Sequence, residues 1–119
     1  DFASGTLSVN GCVFTGNATL GSGGGAIRTG KTAVVAVADS VFEENDSGDF
    51  VGGAIASGPA LTVSGSTFVD NRSNGAGGAI AVATSVSTPT AIGTSCFIGN
   101  ADVAVVSTNS SALGANGNW

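Results

Sequence analysis

Two tetrapeptides alternate along this chain at nearly constant spacing, and the alternation leaves few folds open. Phe-x-x-Asn occurs as Phe14-Thr15-Gly16-Asn17, Phe42-Glu43-Glu44-Asn45, Phe68-Val69-Asp70-Asn71 and Phe97-Ile98-Gly99-Asn100, with steps of 28, 26 and 29 residues between the Phe positions. Gly-Gly-Ala-Ile follows the first three copies at Gly24–Ile27, Gly52–Ile55 and Gly77–Ile80, and is degraded after the fourth to Asp102-Val103-Ala104-Val105. Self-similarity at such a period marks a solenoid or array in which each unit cannot bury its apolar face alone. A third element keeps the same register. Leu7, Val35, Leu61 and Thr90 stand seven residues before each Phe, and Val9, Val37, Val63 and Ile92 stand five before. Alternation at period two means strand, and no stretch sustains a 3.6-residue pattern.

Each unit therefore predicts three short strands: one such as Leu61-Thr62-Val63, one ending at the Phe, and one centred on Gly-Gly-Ala-Ile. The fold class is all-β, a right-handed parallel β-helix of about four coils of 26–29 residues, occupying residues 1–119 as one unit and reading as a fragment of a longer repeat protein. Strands pair with their equivalents one coil away, about 4.8 Å along the axis, so inward side chains form columns of like residues. Phe14, Phe42, Phe68 and Phe97 are expected to stack, as are Ile27, Ile55 and Ile80, with the motif Asn residues along one corner and the paired glycines where a Cβ would collide. The segment from Ile to the next strand varies from 6 to 10 residues while Phe-x-x-Asn is constant, as loops between fixed strands allow.

Composition agrees. Only 9 % of residues are charged, against about 25 % in average chains, and 42 % are apolar, which excludes the charged, weakly hydrophobic composition of disorder. Gly is abundant at 20 residues, but without a G-X-Y period there is no collagen. Net charge is −5 with Arg28, Lys31 and Arg72 as the only cations, too few to track a phosphate backbone or an anionic membrane. The longest apolar run, Ala33–Ala38, is far too short to span a bilayer, so direct membrane insertion is not expected. No signal peptide is visible, and the start at Asp1 reads as that of an internal piece.

The alternation of Gly-Gly-Ala-Ile with Phe-x-x-Asn over roughly residues 6–106 resembles the polymorphic outer-membrane protein repeat, widespread in bacterial β-helical passengers and part of the pectin-lyase-like superfamily. Gly117-Asn118-Trp119 also looks like the Asn-Trp tail of bacterial β-helix proteins. The resemblance implies display outside the cell, as a secreted or outer-membrane autotransporter passenger, and a role in adhesion. The membrane-inserting barrel of autotransporters has no counterpart in this sequence.

Residues that could carry chemistry are few. Glu44 and Asp70 fall at one repeat position on adjacent coils, where the others have Gly16 and Gly99. Two carboxylates one strand spacing apart could be an acid/base pair or a calcium site; two solvated turn residues is the favoured reading. Asp46 and Arg72 are equivalent positions and are expected to form a surface ion pair worth at most about 1 kcal/mol. Asn17, Asn45, Asn71 and Asn109 lie in glycosylation sequons, but turn chemistry explains the first three. There is no His to activate a hydroxyl. Cys12 is expected to point inward and Cys96 outward, three coils apart and unpaired, with no zinc site. Trp119 is expected to pack in a further coil. The outward position between the core residues of the first strand reads Ser8, Ala36, Thr62 and Ala91, which is no ice-binding Thr ladder.

These readings favour a non-catalytic passenger needing no cofactor, with host-surface or polysaccharide ligands on the loops Ala18–Gly23, Asp46–Val51, Arg72–Ala76, Arg28–Thr32 and Ala81–Pro89. The alternative is part of a carbohydrate-active enzyme scaffold. Uncapped strand edges at both ends lead to an expectation of self-association.

Overall fold

The computed structural model describes residues 1–83, 90–101 and 103–107, and the backbone of 114–116. The chain winds as a parallel β-helix. The first coil carries β1 (Phe2–Asn10), β2 (Val13–Thr15) and the start of β3 (Ile27–Ala38). The second takes the rest of β3, then β4 (Val41–Glu43) and β5 (Ile55–Ser57). The third holds β6 (Ala60–Ser64), β7 (Thr67–Val69) and β8 (Ile80–Val82), and the fourth β9 (Ala91–Gly93), β10 (Cys96–Ile98) and β11 (Val105–Ser107). β12 (Gly114–Asn116) pairs beneath β9.

Every ladder is parallel, and the registers are those the motifs predict. Val9 pairs with Val37, Val37 with Val63, and Val63 with Ile92. Ile27, Ile55, Ile80 and Val105 align on the third face, so the degraded fourth motif keeps its place in the column; Asp102 lies outside the described residues. β3 turns the corner between the third and first faces without a break, which joins the two sheets.

Phe14, Phe42, Phe68 and Phe97 form one stack, with centroids 4.8, 4.8 and 4.9 Å apart and ring planes within 6° of parallel. Isolated aromatic pairs prefer offset or edge-to-face geometry. Here the strand spacing sets the repeat and the rings follow the backbone. Phe42 and Phe68 are fully buried, while the rings at either end are half-buried. Phe68→Ala should destabilise by about 3–5 kcal/mol in urea melts, the usual cost of emptying a buried Phe site; a loss under about 1 kcal/mol would contradict this burial.

The Gly-Gly pair has two separate jobs. Gly24, Gly52 and Gly77 adopt φ of 77°, 70° and 70°, left-handed backbone that a side chain disfavours. Gly25, Gly53 and Gly78 need no such angle; instead a Cβ on each would collide with the backbone oxygen of Gly53, Gly78 and Ala101 on the next coil.

The cysteines are both free thiols. Cys12 departs from expectation in being exposed. Its register is nonetheless that of the buried Ser40, Ser66 and Ser95. Its N–H donates to Ser40 Oγ at 3.2 Å, and its thiol reaches Asn10 O at 3.3 Å as Ser40 Oγ reaches Ala38 O at 2.7 Å. Cys96, expected to face outward, is half-buried.

Candidate functional site

The corner after the second strand is built by the motif Asn. Asn17 Nδ2 donates to Asn45 Oδ1, Asn45 Nδ2 to Asn71 Oδ1, and Asn71 Nδ2 to Asn100 Oδ1, each at 2.9 Å. The second amide hydrogen of Asn45, Asn71 and Asn100 goes back to the carbonyl of Phe14, Phe42 and Phe68. Asn45 and Asn71 are completely buried with their amides committed, so their sequons are structural. Asn17, on the first coil, is exposed, and Asn109 lies outside the described residues.

The residue just before each ladder Asn is left-handed: Gly16, Glu44, Asp70 and Gly99 have φ of 64°, 53°, 50° and 62°. The structure thus brings Glu44 and Asp70 together on successive coils, in a shallow exposed depression they share with Arg72. Among the described residues no group of three or more acidic, His or Cys side chains surrounds a metal-sized position. Arg72 is engaged elsewhere, donating to Asp46 Oδ2 through Nη2 at 3.0 Å and Nε at 3.2 Å, which is the ion pair expected from the repeat register. Left-handed backbone costs an L-residue about 1–2 kcal/mol. Glu44→Gly should therefore raise stability by about 1 kcal/mol, read as a higher urea midpoint; a lower midpoint would show that the Glu44 side chain has a role the turn alone does not explain.

The loops that follow the ladder are less free than solenoid loops are expected to be. Ala18, Asp46 and Arg72 form consecutive parallel bridges, and Val51 bridges Ala76. Ser47 and Ser73, both buried, donate to Phe50 O, and Ser73 Oγ accepts from the N–H of Gly75 and Ala76 at 3.1 Å. Asn74 Nδ2 donates to Asp49 Oδ1 at 3.1 Å. Asp46–Val51 and Arg72–Ala76 are thus stacked and tied. The reason is that buried polar backbone must be paired, and each loop finds its partners in the loop one coil away.

That order builds a trough on the third face. Its floor is the outward column Arg28, Ala56 and Ala81, in register across β3, β5 and β8. One wall is Gly21–Gly23 with Phe50 and Val51; the other is Gly30, Lys31, Gly58 and Ala83. The small side chains of Ala56 and Ala81 keep the floor low, Ala56 half-buried and Ala81 buried. The second wall is fastened by Thr29 Oγ1, which lies 3.1 Å from Ser57 Oγ and accepts from Gly58 N–H at 3.1 Å. Arg28 Nη1 approaches Asp1 at 3.3 Å in a pair that is half or more exposed on both sides. Lys31 is exposed, and Phe50 is 40 % exposed.

No family model, curated protein or solved structure matches the chain.

Four of the five loops singled out from sequence contribute residues to this trough. Arg72–Ala76 instead lies behind Phe50, and positions 84–89 of the fifth loop, like Trp119 and the Gly-Asn before it, lie outside the described residues. Ala56, Ser57 and Gly58 were not anticipated. The signal for them was present: the residue after each column Ile reads Arg28, Ala56 and Ala81, a small-residue floor opening beside a cation.

Proposed function

We propose that this chain is a non-catalytic segment of a secreted or surface-displayed β-helix passenger, and that it works in adhesion by holding a ligand on its third face. The observation that carries this reading is the open trough crossing three coils, walled by the inter-strand loops. Rigid stacked strands fix the walls, so the surface is pre-organised and little ordering entropy opposes binding. Beads coated with the chain should adhere to a ligand-bearing cell surface, and Ala56→Trp, which fills the trough floor, should abolish adherence while the thermal melt is unchanged. Equal adherence by the variant, or none by the native chain, would overturn the reading.

One observation favours a second reading, part of a carbohydrate-active scaffold: Glu44, Asp70 and Arg72 share one depression. Acid/base chemistry on a polysaccharide needs carboxylates of opposed protonation state beside the scissile bond. Incubation with acidic and neutral polysaccharides, with and without calcium, decides it. New unsaturated or reducing ends that vanish in Glu44→Ala/Asp70→Ala would replace the adhesive reading with the enzymatic one.

A further inference from the structure

We infer that the trough of the third face receives the wall of a second copy of this chain, the wall that bears Leu20 and Phe50, while the second copy's trough receives the wall of the first. The inference rests on the reading that this face binds a partner, and names the partner. Two large apolar side chains on one crest carry it. Leu20, directly before the Gly21–Gly23 part of the wall, is 98 % exposed, and Phe50 is 40 % exposed. Their loops lie on adjacent coils and are tied to each other at both ends: Thr19 N–H donates to Asp46 O at 3.1 Å and Gly24 N–H to Val51 O at 3.0 Å. Beside this crest runs the floor of Ala56 and Ala81, small enough to admit a leucine or a phenylalanine from outside. A knob next to a hole of the same chemistry makes a surface complementary to itself. One two-fold axis then fills both troughs, with the two Phe50 rings facing each other between the interlocked walls.

Charge complementarity points to the same occupant. Asp49 is exposed and does not line the trough, which places it on the far flank of the wall. When that wall enters a partner's trough, its far flank meets the opposite wall, where Lys31 stands exposed. Lys31 has no ion-pair partner among the described residues; Asp49 accepts from Asn74 Nδ2 at 3.1 Å and likewise has no cation. The two-fold arrangement forms the Asp49–Lys31 pair twice, each time between copies, at the rim of an apolar centre. A contact of one wall and one trough per copy buries less than about 1,200 Å², the range of weak, reversible complexes. It also closes at two copies, whereas stacking through open coil ends would propagate.

The test is sedimentation equilibrium of the whole chain over a series of concentrations. A monomer–dimer equilibrium is expected, and Leu20→Ser/Phe50→Ser should weaken it roughly tenfold or more. Asp49→Lys and Lys31→Asp each set like charges against one another across the contact, so each variant alone should be monomeric where the native chain is dimeric. Mixed in equal amounts, the two should form a one-to-one heterodimer, because one ion pair is then native and the other is restored with its signs exchanged. Glu43→Lys makes the same change in net charge as Asp49→Lys at an exposed position outside the trough, and should leave the dimer intact. A native chain that stays monomeric, an association that climbs past the dimer, an undiminished dimer in Leu20→Ser/Phe50→Ser, or a mixture of the charge variants that fails to associate would each overturn the inference. If the native chain is monomeric while coated beads still adhere and Ala56→Trp blocks them, the trough binds a partner of another kind, and the identity inferred here fails without the adhesive reading.

Discussion

Asn71→Ala should lower the stability of this chain by about 3–6 kcal/mol, the upper range for a single side chain that is neither large nor apolar. Asn71 is completely buried and all its hydrogen-bonding capacity is used. Its Oδ1 accepts from Asn45 N–H and Asn45 Nδ2, and its Nδ2 donates to Phe42 O and Asn100 Oδ1. Truncation orphans groups on the coil above and the coil below at once. Each buried polar group left unpaired costs about 1–3 kcal/mol, much more than the net gain from forming the bond. Asn17→Ala provides the contrast. Asn17 sits at the exposed end of the ladder and donates to Asn45 without accepting from a described coil, so its loss should cost under about 1 kcal/mol. Urea melts of both variants measure the difference; similar losses would mean the ladder is not the continuous, buried element described here.

Gly53→Ala should be at least as damaging, for a steric reason. A methyl at Gly53 would enter the space of Gly78 O and of the Arg72 backbone, all main-chain atoms held by the stack. Relief requires separating two coils, which breaks the ladder of the third face and opens the Phe and Asn columns beside it. Overpacking of a yielding core costs about 1–3 kcal/mol; a collision with fixed backbone exceeds that, and the expected result is loss of the cooperative melt. Gly21→Ala is the matched control: its φ is not in the left-handed range, no atom lies within 4 Å of a Cβ there, and it should fold normally. A folded Gly53→Ala with native stability would contradict the coil-to-coil packing.

The architecture was legible because a solenoid writes its period into the sequence. Phe-x-x-Asn and Gly-Gly-Ala-Ile are each fixed by a local constraint that repeats every coil: a buried ring and a buried amide in the first, a left-handed turn and a close approach in the second. Alignment of the motifs was enough to place the Asp46–Arg72 pair and the Glu44–Asp70 neighbours. What alignment could not show was why Glu44 and Asp70 stand where glycines stand on other coils, since a φ of 53° or 50° is a property of the turn and not of the residue type. Nor could it show the exposure of Cys12, which shares the repeat position of the buried Ser40, Ser66 and Ser95. The trough is the largest gap. Its walls come from loops of unequal length, and their height depends on Ser47, Ser73 and Thr29 bonding to neighbouring backbone and side chains, which repeat alignment does not encode. The loops that supply its walls were singled out from sequence, whereas Ala56 of its floor was not, although the residue after each column Ile reads Arg28, Ala56 and Ala81.

The central claim is that successive coils stack in strict register, one strand spacing apart. The most direct test is nuclear Overhauser contact between Phe rings in a sample labelled only at phenylalanine. The account predicts a linear chain of contacts, Phe14 to Phe42, Phe42 to Phe68 and Phe68 to Phe97, matching centroid separations of 4.8, 4.8 and 4.9 Å, with no contact that skips a coil. Absence of the Phe42–Phe68 contact, or a contact between Phe14 and Phe68, would contradict it.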